Sequence, residues 1–378
     1  MKAKEQKFGV LVIGGLPQSL VNFRGKMLQK FRANGHRVVA CAGGEDKKTS
    51  GFLRNIGGRY YSLPIQRTGM NPFQDFQMFT SLLRLFRRTK PDKVMAYTVK
   101  PVVYGLLAAR VVGIKDRYAM ISGLGYAFMG GDSFKQRFAR WIVPRMYRIA
   151  LTGCKCVFFQ NRDDLKIFTS YKILSPDTRV VRIMGSGVDL ESFTEEPLPK
   201  GNIVFLLIGR LIKDKGLREY YMASRILKQK YPEAKCAILG PTDSNPSRIK
   251  EGELAEWIQS GIIDYWGEVD DVRPSILKST VFVLPSYREG MPRSVLEAKA
   301  MGRPIITTDV PGCRDTVVEG ENGFLVPKGD HKALAEAMIY MVEHPDNLPD
   351  MGRESRRSAE EQFDVNVVNS EICEAMHL

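Results

Sequence analysis

SYREGMPRSVLEAKAMGRPII, at residues 286–306, follows the apolar run VFVLP (281–285) and predicts a strand, a tight break and then a helix. Pro292 suits the first turn of that helix, because the N–H that proline lacks would have no partner there. The pattern places Glu289 in the loop at the carboxyl end of the strand and Glu297 within the helix. In open α/β sheets, ligands gather at this end of the strands, beside helix N-termini that attract anions.

The two glutamates suggest what such a ligand contains. Carboxylates do not bind phosphate, but they accept hydrogen bonds from sugar hydroxyls. A nucleotide sugar offers phosphates to the helix end and hydroxyls to Glu289 and Glu297. Their spacing alone also fits two solvated or capping glutamates near a helix start. The assignment therefore depends on the rest of the chain.

Short apolar runs alternate with longer amphipathic stretches along the whole chain, which is typical of parallel sheets covered by helices. The predicted strands are 8–13, 37–41, 59–63, 93–97, 118–122, 155–159, 179–183, 203–208, 235–239, 262–266, 280–284, 304–307 and 323–326. The predicted helices are 18–33, 72–89, 101–112, 133–150, 162–170, 214–230, 292–301, 330–343, 346–361 and 364–376. We therefore predict an α/β protein with two doubly wound, Rossmann-like domains and a cleft between them.

The domain boundaries follow from a break in that alternation. The segment 191–202 is polar, contains two prolines and lacks periodicity, so it is predicted to be a linker. Residues 1–190 then form an N-terminal domain and residues 203–362 a C-terminal one. Residues 363–378 are predicted to form a C-terminal helix that packs back on the N-terminal domain.

Composition indicates a cytoplasmic globular protein. The chain has 378 residues, of which 44% are hydrophobic and 26% charged. No apolar run approaches the ~20 residues that span a bilayer. The N-terminal segment MKAKEQKFGVLVIGG (1–15) reads as a first buried strand and not as a signal peptide. The six cysteines are scattered without metal-site spacing, which favours reduced thiols.

Charge is divided unevenly between the two halves. Residues 1–195 carry 33 Lys and Arg against 13 Asp and Glu, whereas residues 196–378 carry 23 against 29. A half this basic indicates an anionic partner. Nucleic acid is disfavoured, because no zinc-finger, helix-turn-helix or RNA-binding signature is present. The segments 76–88 and 134–149 interleave basic and aromatic residues, as helices on an anionic membrane do, although most amphipathic helices cover a core.

A cationic cluster opens the C-terminal domain. In IVFLLIGRLIKDKGLREYY (203–221), a strand ends at Gly209, where a backbone without a side chain can approach a ligand closely. Arg210 and Lys215 then supply two cations suited to a diphosphate. No cluster with metal spacing, no Walker loop and no G-x-S-x-G elbow is present, so metal-dependent and serine-nucleophile chemistries are disfavoured.

The N-terminal domain has weaker signals at the ends of its predicted strands. Gly14 and Gly15 follow the first strand, but they do not form G-x-G-x-x-G, so a dinucleotide role is disfavoured. A second glycine-rich loop, GLGYAFMGG (123–131), follows another strand and fits an ordinary turn equally well. Lys100 follows the strand VMAYT and is predicted to face the cleft.

At these residues the chain resembles the retaining glycosyltransferases of family 4, which have the two-domain GT-B fold. The matching segments are GRLIKDKG (209–216), WGEVDD (266–271), VFVLPSYREGMPRSVLEAKAMGRPIITTDVPG (281–312) and VVEGENGFLVPKGD (317–330). The resemblance implies that Arg210 and Lys215 bind the donor diphosphate, that Glu289 faces the donor sugar and that Glu297 faces the ribose. It makes Glu289, Arg210 and Lys215 the catalytic set. The implied donor-binding residues also include Gly14, Gly15, Gly209, Val269 near the base, Gly290, Met291 and Pro292.

A narrower likeness is to bacterial transferases that extend sugars on undecaprenyl diphosphate, including N-acetylgalactosaminyltransferases of bacterial N-glycan assembly. It rests on the segments TDSNPSRI (242–249), SGLG (122–125) and NFR (22–24). Many family members have a histidine in the first domain near the donor sugar, and AYTVKPVVYG (96–105) has none. The acceptor-binding residues implied here are Asn22, Arg24, Lys100, Gly123 and Gly125.

The resemblance implies a reaction and a location. The donor would be a UDP-sugar carrying a hexose or N-acetylhexosamine, and the acceptor a sugar on a polyprenyl diphosphate. Neither a metal nor a cofactor is expected. The protein would lie on the anionic inner face of a bacterial cell membrane. Two alternatives stay open: a nucleotide-sugar epimerase on a related fold, and a non-catalytic lectin-like or scaffold protein.

Overall fold

Two separate parallel β-sheets, one of seven strands and one of six, organise the chain. The computed structural model describes residues 7–65, 71–124, 128, 134–243 and 245–378, so the predicted acceptor residue Gly125 lies outside the described residues. The chain divides into two units. The first runs to Ser186 and also contains Asn366–Leu378, and the second is Gly187–Val365. The predicted α/β class with two doubly wound, Rossmann-like sheets is confirmed.

The sheet of the first unit has the strand order β3-β2-β1-β4-β5-β6-β7. Its strands are β1 Gly9–Ile13, β2 Arg37–Gly43, β3 Arg59–Leu63, β4 Lys93–Tyr97, β5 Asp116–Ile121, β6 Cys156–Phe159 and β7 Arg179–Arg182. Every residue of β1 is buried. Parallel strands are covered by helices on both faces, which is why the central ones read as unbroken apolar runs.

Helices cover both faces of this sheet. They are α1 Pro17–Asn22, α2 Gly25–Ala33, α3 Lys47–Asn55, α4 Pro72–Thr89, α5 Leu106–Val111, α6 Phe134–Leu151 and α7 Arg162–Ser170. Leu11 and Ile13 share a core with buried residues of α4, α5 and α6. Val10 and Val12 belong to a second core with residues of α2 and α3. The alternation along β1 thus separates two hydrophobic layers.

The second unit repeats the doubly wound design with the order β10-β9-β8-β11-β12-β13. Its strands are β8 Val204–Ile208, β9 Lys235–Leu239, β10 Asp264–Tyr265, β11 Val281–Leu284, β12 Ile305–Thr308 and β13 Gly323–Val326. Its helices are α8 Leu217–Lys230, α9 Glu251–Gln259, α10 Arg273–Leu277, α11 Arg293–Ala300, α12 His331–Glu343 and α13 Leu348–Gln362. Strand β11 is fully buried.

The last helix, α14 (Val365–Met376), belongs mainly to the first unit. Its buried side chains Val368, Ile372 and Met376 pack in the same core as Val10 and Val12. The Lys30 ammonium of α2 also donates to the hydroxyl of Ser370, 2.5 Å away. The C-terminus therefore completes one hydrophobic layer of the N-terminal sheet.

The structure differs from the predicted elements in a few places. The predicted helix 18–33 is two helices, because Phe23 and Arg24 leave the helical path between α1 and α2. The predicted helix 101–112 begins with a π-helical turn, Pro101–Gly105. Helices α3, α9 and α10 were not predicted. Among the described residues, no helix is both long and apolar enough to cross a bilayer.

Candidate active site

The strand order of the second unit places the predicted donor residues at one point. Strands β8 and β11 pair with each other although two strands, β9 and β10, lie between them in the sequence. The strand order of the sheet reverses between these two strands. In doubly wound sheets, ligands bind at the carboxyl ends of the strands beside such a reversal. Gly209 and Arg210 follow β8, and the loop that contains Glu289 follows β11.

The two loops at this reversal are packed closely together. Gly216 has a φ of 72°, and a Cβ atom added to it would lie 2.0 Å from the carbonyl oxygen of Pro285. Only glycine fits such a left-handed position against a backbone oxygen. The backbone N–H of Tyr287 donates to the carbonyl oxygen of Asp214 at 2.8 Å. The loop after β8 is thereby held against the loop after β11.

This packing brings Lys215 and Glu289 together. The ammonium of Lys215 forms an ion pair with Oε1 of Glu289, and both side chains are largely buried. The hydroxyl of Ser286 donates to the same oxygen at 2.8 Å. The predicted diphosphate cation and the predicted sugar-binding carboxylate are therefore neighbours.

Arg210 has a carboxylate partner of its own. Its Nη1 lies 2.7 Å from Oδ2 of Asp243, and 36% of the arginine side chain stays exposed. The other carboxylate oxygen of Asp243 accepts the N–H of Asn245 at 2.8 Å. The side-chain oxygen of Asn245 in turn accepts the N–H of Ser247, and the N–H of Lys213 donates to the Ser247 carbonyl. The loop 241–249 thus braces the loop after β8.

Glu297 lies in the first turn-and-a-half of α11 and is 7% exposed. Its Oε1 pairs with Nε of Arg293 at 2.7 Å. Burial raises the pKa of the Glu297 carboxyl, and the Arg293 guanidinium partly opposes that effect. Pro292 is the N-cap residue of α11, one position before the predicted first turn. The hydroxyl of Ser294 donates to the carbonyl oxygen of Ile208, which ties the start of α11 to the end of β8.

The remaining donor residues border the same edge of the sheet. A Cβ atom on Gly312, whose φ is 80°, would lie 2.6 Å from the carbonyl oxygen of Gly290. A Cβ atom on Gly240, after β9, would lie 2.0 Å from the carbonyl oxygen of Gly209, and the Gly240 N–H donates to the carbonyl oxygen of Gly267 at 2.7 Å. Val269, two residues further on, is exposed. The loop that holds Val269 therefore continues the row of loops that starts at Gly209.

The first unit has an equivalent reversal between β1 and β4. Gly14 lies against Tyr97, whose phenol oxygen would be 2.3 Å from an added Cβ atom. Gly15 lies against Thr98, which has a φ of 69° although it is not glycine. Strained backbone of this kind clusters at functional sites. The glycine loop predicted from sequence thus lies beside the turn that leads to Lys100.

The predicted acceptor residues of the first unit are spread along this edge. Arg24 is buried, with its guanidinium carbon 5.2 Å from the centre of the Tyr97 ring. Asn22 ends α1, two residues before Arg24. Lys100 pairs with Asp75 at 2.7 Å. Gly123 follows β5 with a φ of 133° and no atom within 4 Å of an added Cβ.

Sequence reasoning missed two carboxylates in these sites, Asp243 and Asp75. A signal for Asp243 was available, because the spacing of Asp, Asn and Ser in TDSNPSRI is typical of side chains that cap their own loop. Asp75 had no local signal, since its partners lie on another element. Within the described ranges, no group of three His, Cys, Asp or Glu residues could hold a metal ion. All six cysteines are buried and free.

Comparisons with known proteins agree with this geometry. A model of the "Glycosyl transferase 4-like domain" matches residues 23–182, and a model of "Glycosyl transferases group 1" matches residues 202–344. The N,N'-diacetylbacillosaminyl-diphospho-undecaprenol alpha-1,3-N-acetylgalactosaminyltransferase of Campylobacter jejuni is 27% identical over 84% of this chain and 85% of that protein. The capsular polysaccharide biosynthesis glycosyltransferase CapM of Staphylococcus aureus is 27% identical over 98% of this chain and 96% of that protein.

A solved structure shows the same fold. The crystal structure of HepE from Anabaena in complex with UDP has a TM-score of 0.77, covers 98% of this chain and 99% of that chain, and is 16% identical. The two doubly wound units therefore form a GT-B fold. The two family models together span most of the chain, and the chain belongs to the family 4 glycosyltransferases.

Proposed function

We propose that the chain is a retaining glycosyltransferase that moves a hexose or N-acetylhexosamine from a UDP-sugar to a sugar on a polyprenyl diphosphate. The observation that carries this proposal is the adjacency of Lys215 and Glu289 at the carboxyl ends of β8 and β11. The name of the Campylobacter relative specifies an undecaprenol diphosphate acceptor, and that of CapM specifies capsular polysaccharide synthesis. Both support a role in building cell-surface glycans.

The second unit would hold the donor. Arg210 and Lys215 contact the diphosphate, and Gly209 allows its close approach. Glu289 accepts hydrogen bonds from the sugar hydroxyls, with the Gly290-Met291-Pro292 loop beside it. Glu297 accepts from the ribose, and the backbone at Val269 meets the base. Gly14 and Gly15, after β1 of the first unit, keep the donor-binding role that the resemblance implies.

Two cations of the second unit, Arg210 and Lys215, suit an anionic ligand without a metal ion, although each has a carboxylate partner. Arg210, Lys215, Asp243 and Glu289 form two ion pairs and carry no net charge together. A donor diphosphate would compete with the two carboxylates for the two cations. Because these cations can neutralise the leaving diphosphate, the proposed reaction needs no divalent ion and no cofactor.

The proposed step is a front-face displacement. The bond between the anomeric carbon and the diphosphate oxygen breaks, and the acceptor oxygen forms its bond to that carbon on the same face. The acceptor proton passes to an oxygen of the departing diphosphate, and UDP leaves. Arg210 and Lys215 stabilise the charge that develops on the diphosphate, and such preorganised electrostatic stabilisation is usually the largest contribution to catalysis.

The first unit would hold the acceptor and face the membrane. Lys100, Arg24, Asn22, Gly123 and Gly125 are the proposed acceptor residues. Gly125 is assigned from sequence alone. The cationic side chains among them suit the lipid diphosphate, since Lys and Arg both bind phosphate groups.

Aromatic and basic side chains support membrane association of this unit. Phe73 and Phe76 of α4 are 76% and 65% exposed, and Trp141 of α6 is 55% exposed. Arg145 lies over the Trp141 ring, with 4.2 Å between its guanidinium carbon and the ring centre. Exposed aromatic rings with adjacent arginines suit the headgroup region of an anionic leaflet. We infer a peripheral location on the inner face of the bacterial cell membrane.

A transfer assay tests the proposal. The purified chain is incubated with labelled UDP-glucose, UDP-galactose, UDP-N-acetylglucosamine or UDP-N-acetylgalactosamine, with and without a saccharide on undecaprenyl diphosphate in vesicles. We expect label in the lipid fraction from at least one donor, an α linkage by NMR and full activity in a chelator. A β linkage would contradict retention. Epimerised free donor would indicate the epimerase, and no reaction would indicate a non-catalytic protein.

A further inference from the structure

An ion pair in the first unit has no part in the proposed donor chemistry. Asp75 lies in the first turn of α4 and is 9% exposed. Its Oδ1 lies 2.7 Å from the ammonium of Lys100, and its Oδ2 accepts the hydroxyl of Tyr104 at 3.0 Å. Both carboxylate oxygens therefore have a donor. Three elements meet at this carboxylate: α4, the turn after β4, and the π-helical turn 101–105.

Lys100 lies at the reversal of strand order in this unit. It lies two residues after Thr98, which has a φ of 69°, whose side chain lies beside Gly15 and whose carbonyl accepts the N–H of Val102 at 3.0 Å. Ligands of doubly wound sheets bind at this edge. An ammonium group has three N–H donors, and the contact with Asp75 uses one. Lys100 therefore retains N–H donors for a ligand while its ion pair with Asp75 fixes the position of its ammonium.

The pair is better explained by positioning than by stability. Replacing a buried ion pair with apolar residues is often neutral or stabilising, so such a pair is weak evidence for a stabilising role. Lysine has a long, flexible side chain, and ordering it costs conformational entropy. An anchored carboxylate that fixes the ammonium in advance reduces that cost when a ligand binds.

The same helical turn also presents the most exposed aromatic side chains of the unit. Phe73 and Phe76 flank Asp75 in sequence, yet they point outward while Asp75 is buried. We propose that Asp75 is a positioning residue that holds Lys100 for the diphosphate of the lipid acceptor, from the turn of α4 that meets the membrane. This inference rests on the proposed function, because that function makes the acceptor a polyprenyl diphosphate.

A binding experiment tests it without requiring turnover. Farnesyl diphosphate serves as a soluble polyprenyl diphosphate, and its affinity is measured by calorimetry for the full chain. We expect Asp75→Asn to weaken binding about tenfold, because a charged hydrogen-bond partner of Lys100 is lost. In a Lys100→Met background the same change should have no further effect. Asp177→Asn removes an exposed carboxylate of the same unit and should leave binding unchanged.

Kinetics with the lipid-linked acceptor supply the second readout. Asp75→Asn should raise the KM for the acceptor about tenfold and leave kcat and the KM for the donor within about twofold. If Asp75→Asn does not fold, Tyr104→Phe removes one hydrogen bond to the same carboxylate and should weaken farnesyl diphosphate binding about threefold. A general loss of structure would lower kcat and affect both substrates.

The outcomes separate the two proposals. The inference is overturned if Asp75→Asn binds farnesyl diphosphate as tightly as the wild-type chain does. It is also overturned if Asp75→Asn weakens binding equally in the wild-type and Lys100→Met backgrounds, or if the wild-type chain does not bind farnesyl diphosphate. If the wild-type chain binds farnesyl diphosphate with the expected pattern but transfers no sugar, the proposed function fails and the positioning role of Asp75 stands.

Discussion

Lys215 and Glu289 pair through Nζ and Oε1 although 74 positions separate them in the chain. The pair forms because β8 and β11 are neighbours in the sheet and their exit loops pack against each other. One member is suited to the diphosphate and the other to the sugar hydroxyls. Under the proposed function, the donor diphosphate and Glu289 would therefore compete for the same ammonium.

This competition predicts different kinetic effects for the two residues. Glu289→Gln should lower kcat by about 10²-fold without raising the KM for the donor, because Lys215 loses a competing anion. Lys215→Ala should lower kcat by about 10²–10³-fold and also raise that KM, because a charge-stabilising group is removed. Steady-state kinetics with the best donor check both. If the KM for the donor changes equally in Glu289→Gln and Lys215→Ala, the assignment of separate roles to the two residues is contradicted.

Arg210 and Asp243 should also differ in effect. Arg210→Ala removes a group that we propose to contact the diphosphate and should cost about 10²–10³-fold in rate. Asp243→Asn keeps the arginine but loosens it, so we expect a loss of at most about tenfold in kcat/KM. Arg218→Ala is a matched control, since Arg218 pairs with Glu253 at 2.6 Å on the surface of the same unit. Unchanged turnover in Arg210→Ala would refute the diphosphate assignment.

Gly216→Ala should disrupt the donor site through the backbone. Its left-handed φ costs an alanine about 1–2 kcal/mol, and the new Cβ would also meet the carbonyl oxygen of Pro285. Gly261→Ala is the control, because Gly261 has a similar φ of 69° but no atom within 4 Å of an added Cβ. We expect urea unfolding to show a larger loss of stability for Gly216→Ala, together with weaker UDP binding. If Gly216→Ala and Gly261→Ala lose the same stability, the loops after β8 and β11 can move apart at no cost in unfolding free energy.

The buried Lys299 predicts a pH-dependent stability. Its ammonium donates to the carbonyl oxygen of Thr316 and the hydroxyl of Ser358, and burial lowers its pKa to about 7. Between about pH 7 and the usual lysine pKa, the unfolded chain binds a proton that the folded chain does not, so this group makes stability rise with pH.

Lys299→Met tests that dependence. The difference in unfolding free energy between the variant and the wild-type chain should move steadily in favour of the wild-type chain as the pH rises from 7 to 9.5. The change with pH is the diagnostic quantity, because the methionine also loses two hydrogen bonds at every pH. A difference that stays constant over this range would show that Lys299 keeps its proton in the folded chain, as it does in the unfolded chain.

Membrane binding should depend on the exposed aromatic side chains of the first unit. In liposome flotation, Trp141→Ala and Phe73→Ser should each reduce binding to anionic vesicles several-fold, since each removes a large apolar surface from the headgroup region. Added salt should weaken the binding of all variants. Val318→Ser, at an exposed apolar residue of the second unit, should have no effect. If the wild-type chain floats with neither anionic nor neutral vesicles, the membrane proposal is refuted.

The thirteen strands of the described residues were all predictable, and most of them read as short apolar runs because a parallel strand in the middle of a sheet is buried on both faces. The helices were less predictable from the sequence. Helix α3 contains glycine and mostly polar residues, α10 has only five residues, and α9 buries little besides Leu254 and Trp257. The break between α1 and α2 was also not predictable, because Arg24 leaves the helix to lie over the ring of Tyr97, a residue of β4.

The candidate active site could also be predicted only in part from the sequence. The residue types at Arg210, Lys215 and Glu289 indicated cations for phosphates and a carboxylate for hydroxyls. Their pairing depends on which strands are neighbours, and local sequence does not carry that information. The same holds for Asp75 and Lys100, which belong to elements that only the folded sheet brings together.

The placement of α14 has a consequence for how the protein is made. Val368, Ile372 and Met376 follow the whole second unit along the chain, yet they fill a hydrophobic layer around β1, which precedes that unit. The second unit is continuous in sequence and can fold as soon as it emerges from the ribosome. The core of the first unit can close only after α14 has also emerged, so the first unit begins earlier in synthesis and finishes later.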